Sequence, residues 1–153
     1  MFRIVSALFV LCIASSLVAQ TSPSAKEQAA QVESVRTMAL HAVNFKEGNL
    51  ASLNASQANF TPDGWREFLN HMSGFLDDDG APTFTSSFTP AGKAIVLKKE
   101  SDTIHIRIPG ALAQTHGQST TNYRHAALDV TAGGDPLKIQ HLQQVFMLQP
   151  PRS

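Results

Sequence analysis

The sequence predicts an α+β protein in which N-terminal helices pack on a curved antiparallel β-sheet. Three observations predict it. Apolar residues recur at helical spacing between positions 25 and 47, and again from Trp65 to Leu76. After Gly80 the period changes to two, most clearly where Ile104, Ile106 and Ile108 alternate with His105 and Arg107. About five such segments follow one another with short connections, the order that folds as an antiparallel sheet with its helices on one face.

The chain has 153 residues, enough for one domain with a core of its own. Its first twenty residues stand apart. Met1-Phe2-Arg3 supplies a basic start, Ile4 to Val18 is a nearly unbroken apolar run, and Ala19-Gln20 follows. This is the layout of a secretory signal peptide spanning 1–20. A retained membrane anchor is the rival reading, but Ile4 to Ala19 is shorter than the roughly 20 apolar residues a span needs. Lipidation at Cys12 is disfavoured by the bulky Phe9, Val10 and Leu11 before it. Removal of the segment takes the only Cys, leaving no disulfide, thiol nucleophile or thiolate metal site. It also leaves 11 basic residues against 12 acidic ones. Lys and Arg are scattered, so nothing here forms an electrostatic footprint for nucleic acid. An exported chain without cystines fits a bacterial periplasm or secretion into the surroundings.

Residues 21–24 form a polar leader, 25–148 the single domain and 149–153 a tail. Ser24-Ala25-Lys26-Glu27 has the form of a capping box. Val32, Val35, Ala39 and Ala42/Val43 give the helix that follows one apolar face, and Gly48 ends it, with a helix expected over 25–47 and a short Leu50/Leu53 segment after it. Thr61 is a good N-cap and Pro62 suits the first helical position. Trp65, Phe68, Leu69, Met72 and Phe75/Leu76 then make one apolar stripe. Consecutive Asp77, Asp78 and Asp79 before Gly80 read as a solvated turn, because calcium loops alternate their acidic ligands. Phe84 and Phe88 begin the strand-like half. Ala94–Lys99, the Ile104 to Ile108 run, its continuation from Ala111 to His116, Tyr123 to Thr131 and Leu137 to Leu148 complete it. Ala126, Leu128 and Val130 share one face there, opposite His125 and Asp129.

The stretch Asn59-Phe60-Thr61-Pro62-Asp63-Gly64-Trp65-Arg66-Glu67-Phe68 resembles the FT-x-x-G-W-x-x-F segment of the DotI/IcmL family, periplasmic domains of type IVB secretion systems. Phe60, Thr61, Gly64, Trp65 and Phe68 are the matching positions, and Val43-Asn44-Phe45 is similar to the family's helix end. The resemblance implies the cone fold of nuclear-transport-factor-2-like and cystatin-like proteins over residues 27–147. It also implies a non-enzymatic assembly domain with protein partners or self-association. Family members carry a cytoplasmic segment and a membrane span ahead of the domain, where this chain has a short, apparently cleavable signal.

The residues themselves carry little chemistry. The aromatic stripe reads as core rather than as an active site. There is no nucleophile elbow, no phosphate-cradling glycine loop, and no cofactor motif. The His residues show neither helical pairs nor carboxylates at metal spacing, so no metal is expected. His105 and His125 are outer-face residues whose proximity depends on register. One alternative survives. Strict alternation in the last strand places His141 and Gln143 on the side of Leu137, Ile139, Val145 and Met147. There His141 would be an interior base of an isomerase- or hydratase-like pocket. A bulge would instead turn it outward and bring in Leu142 and Phe146.

Overall fold

Local signals and long-range pairing compete at the end of the first helix, and pairing decides where it stops. The computed structural model describes residues 24–146. The expected signal segment 1–20, residues 21–23 of the leader, residues 147 and 148, and the tail lie outside the described residues. Helix α1 (Ala25–Val43) starts on the expected capping box: the Glu27 N–H donates to Ser24 Oγ at 3.3 Å, and the Ser24 N–H donates to Glu27 Oε2 at 2.6 Å. It ends at Val43, four residues before the expected boundary. Asn44 is extended, and its Oδ1 accepts the Phe88 N–H at 2.6 Å. Phe45 exchanges two backbone hydrogen bonds with Ser86. These bonds satisfy groups that a longer helix would have used, so Gly48, at φ +67°, turns the loop rather than the helix. The short Leu50/Leu53 segment is a helix, α2 (Leu50–Asn54), and α3 (Pro62–Met72) follows.

Five antiparallel strands make one sheet: β1 (Thr85–Pro90), β2 (Ile95–Lys99), β3 (Thr103–His116), β4 (Ser119–Gly133) and β5 (Lys138–Phe146). The order is β1-β3-β4-β5. β2 pairs with the first half of β3 and β1 with the second half, so both lie along the same side of it. Pro109-Gly110 does not interrupt β3, although the register with β4 shifts there. A Cβ on Gly110 would sit 2.4 Å from the Thr89 carbonyl and 2.5 Å from the Phe88 ring, so only glycine lets β1 close on β3.

The inner face follows the predicted alternation. Ile104, Ile106, Ile108, Leu128, Val130 and Ile139 are fully buried, together with Val35 and Ala39 of α1. Each large aliphatic side chain so buried contributes about 1.5–3 kcal/mol. This is the α+β architecture that the sequence predicts, with helices packed on an antiparallel sheet.

The opening of α3 is the joint between the helices and the sheet. Thr61 caps the helix through Oγ1, which accepts the Gly64 N–H at 3.1 Å, and its own N–H donates to the Ile139 carbonyl at 2.9 Å. Phe60 bridges Ile139 in parallel. Gly64 is pressed against the same strand: a Cβ there would lie 2.7 Å from the Gln140 carbonyl oxygen and 2.8 Å from that of Ile139. Trp65, Phe68 and Met72 are buried, and the rings of Phe60, Trp65 and Phe68 stand 5.3–5.5 Å apart. The stripe ends sooner than expected. After Met72 the chain tightens into a 3₁₀ turn (Ser73–Phe75), which leaves Phe75 48% exposed. Asp77 Oδ1 then accepts the N–H groups of Asp79 and Ala81, making the acidic run a turn.

Two substitutions test the joint. Trp65→Ala should cost about 3–5 kcal/mol in urea unfolding. Gly64→Ala is the sharper test, because helix propensity alone favours Ala by about 1 kcal/mol. If α3 is seated on β5, the added methyl should instead destabilise by about 1–3 kcal/mol. A Gly64→Ala protein as stable as its parent would mean the seat is absent.

Candidate functional site

The position of His141 is decided by one residue. Thr131 pairs with His141 and Ala132 with Ile139, so Gln140 has no partner of its own and β5 carries a bulge. Strict alternation fails there. Leu142 turns inward beside Val130, while His141 stands on the outer side beside Thr131. The alternative that places His141 inside a pocket is corrected on this point: it does not share the face of Ile139. Phe146, which the bulge was expected to bring in, is 47% exposed and packs on Tyr123, with ring centroids 4.6 Å apart. His141 Nδ1 meets Glu67 Oε1 at 3.0 Å across the β5 edge, and the His71 ring lies 6.5 Å away. Glu67 and His71 sit four residues apart on α3. From the sequence no carboxylate is expected near a His, yet this i, i+4 pair is one; its partner His141 is brought to it only by the fold. Among the described residues, no group of three His, Cys, Asp or Glu side chains is arranged to hold a metal ion.

A cavity of about 250 Å³ opens between the end of α3 and the sheet. Phe68, Met72, Phe84 and Leu142 give it an apolar floor, and His71 and Gln114 give it polar walls. His141 does not line it.

On the outer face of the sheet, Arg107 binds Asp129 through two parallel hydrogen bonds of 2.7 Å each. They are direct cross-strand partners. His105 faces Thr131, and His125 lies near Gly110, so these two histidines are not neighbours. The Arg107 hydrogen bond holds the Asp129 carboxyl below its ordinary range; burial opposes this, and the charges of Arg107, His105 and His141 add to it. A third feature is apolar. Ile95, Val96 and Leu97 are 52%, 38% and 44% exposed on β2, and no strand or bridge pairs with its far edge among the described residues. The sequence shows these three residues as an ordinary strand; the two lysines after them are the one hint of an edge.

No protein-family model matches the sequence, and no curated protein matches it by sequence. Solved structures do resemble its fold. The periplasmic domain of DotI aligns at a TM-score of 0.61 with 17% identity, covering 82% of this chain and 96% of that domain. An IcmL-like type IV secretion system protein from Legionella pneumophila gives 0.60 with 10% identity, covering 86% of this chain and 99% of the other. CagV, a VirB8 homologue from the Helicobacter pylori type IV secretion system, gives 0.53 with 10% identity and covers 79% and 99%. The chain therefore has the fold of these periplasmic domains across nearly their whole length.

The Arg107–Asp129 pair gives a pH prediction. Folding lowers the Asp129 pKa, so the pair's contribution is present above the ordinary Asp value of about 3.9. It is lost as pH falls through the depressed native value. Asp129→Asn should therefore lower the melting temperature near neutral pH. It should also flatten the loss of stability on acidification below about pH 4, as thermal melts across that range would read. An unchanged acid limb would show that the pair does not stabilise the sheet.

Proposed function

We propose that this chain is an exported, non-enzymatic assembly domain of the bacterial cell envelope, acting through protein contacts in a machine of the type IV secretion kind. The observation that supports it most is the match in fold to DotI and to the IcmL-like protein over 96% and 99% of those chains. On this reading residues 1–20 are a signal peptide removed on export, 25–148 are the working domain, and 149–153 are a tail. No described helix is long and apolar enough to cross a membrane. The Ile, Leu and Val side chains on the inner face of the sheet join one buried core with the helices, which favours work done at the surface.

A second reading keeps the small-molecule option, and the 250 Å³ cavity is what favours it. It would use His71 in place of His141. Thermal-shift screening of parent and His71→Ala protein distinguishes it: a ligand that stabilises only the parent supports a pocket.

The assembly reading is tested by expression of the full chain in a Gram-negative host, with a photo-cross-linking residue placed in turn at exposed positions. A mature N-terminus near residue 20, recovery from the envelope fraction and cross-links to secretion-machine subunits are expected. A chain that stays in the cytoplasm with its first twenty residues attached would overturn it.

A further inference from the structure

The sheet has two open sides, and the fold covers them unequally. On β5, Phe60, Thr61 and Gly64 bond to or press on the backbone at Ile139 and Gln140. On the other side, β1 is closed by the chain's own Phe45, whose N–H and C=O pair with Ser86 as a further strand would. β2 continues that same side of β3 without any such cover among the described residues. Beside it runs a groove of about 700 Å³, walled by Ala25, Ala29 and Val32 of α1 and by Lys93 and Val96.

We propose that this open edge of β2 is the docking site for an extended, acidic segment of another envelope protein, which adds to the sheet as a strand. The proposal deepens the assembly reading and rests on it only for the partner being a protein of the envelope. Backbone groups supply the ladder, and every second side chain of the added strand enters the groove, so those positions would be apolar. β2 spans five residues, roughly 17 Å at about 3.3 Å per residue, and bulges at Leu97, so an added strand would pair on either side of that bulge. Charge sets the rest. Lys93 makes no ion pair among the described residues, and Lys99 Nζ is held at the inner rim by Gln31 at 3.0 Å. Lys98 stands on the outer side, with Glu100 at 2.6 Å. Glu33 and Arg36 of α1 also line the groove and pair with each other at 2.8 Å, so edge and groove together carry four cations against two carboxylates, with Lys93 and Lys99 the two not matched by a carboxylate among the described residues. A second copy of β2 would bring the same lysines together, which disfavours self-pairing. An acidic strand meets them favourably.

The test uses the purified protein and an acetylated nine-residue peptide alternating Val with Glu. Binding is read by isotope-resolved NMR shifts and by fluorescence titration. Shifts confined to Ala94–Lys99 and the first half of α1 are expected, with affinity that falls as salt is raised. Lys93→Glu should weaken binding several-fold, and N-methylation of alternate peptide amides should abolish it. Three results would overturn the proposal: no binding, equal binding of the N-methylated or a Val/Lys peptide, or a concentration-dependent dimer that itself protects the β2 amides. Export and cross-linking at other surfaces do not depend on β2, so failure here and failure of the assembly reading are separable.

Discussion

The structure depends on the close seating of one helix start on one strand. Thr61, Gly64 and Phe60 all engage the backbone of Ile139 and Gln140, and they do so where β5 bulges. Glycine permits the approach, since any side chain at position 64 would overlap two carbonyl oxygens. Seating and bulge belong together. The bulge turns Leu142 inward beneath Phe68 and Met72 and sends His141 outward, where Glu67 of the same helix meets it. The aromatic cluster of Phe60, Trp65 and Phe68 then fills the space the helix would otherwise leave open. A stretch that looks from its composition like an active site is thereby a structural joint, and its unusual residues are accounted for by backbone contact.

The same constraint explains what could be read in advance. Period-two alternation reported burial correctly from Ile104 to Ile108 in β3 and from Leu128 to Ala132 in β4, and it fails at Ala127, which is buried along with Ala126 and Leu128. Caps at Ser24 and Thr61 were legible because they are satisfied by residues three positions away. The end of α1 was not, because the partners of Asn44 and Phe45 lie about forty residues further on, at Phe88 and Ser86. The face of His141 was not decidable for the same reason: a one-residue bulge inverts every position after it, and this one coincides with the α3 seat on Ile139 and Gln140, far away in sequence. Gly64 is the instructive case. It stands inside a helix where propensity disfavours it, and such a local conflict is where tertiary contact overrides propensity.

Side chains of β3, β4 and α1 meet in one buried core. The paired Arg107 and Asp129 stiffen the outer face without offering an unmet charge, since each satisfies the other's hydrogen-bonding geometry. Unmet capacity is concentrated elsewhere.

That capacity is backbone pairing. A sheet of this size carries two sides of free N–H and C=O groups, and leaving them bare invites association. Among the described residues, Phe60 and Thr61 cover the Ile139 end of one side and Phe45 pairs with β1 on the other. Had β2 been merely blunted, its lysines and its bulge at Leu97 would suffice, and three consecutive exposed aliphatic residues beside a groove would be a liability with no return. Their presence at Ile95, Val96 and Leu97, next to cations of one sign, argues that this edge is kept open for a partner that brings its own strand and the opposite charge.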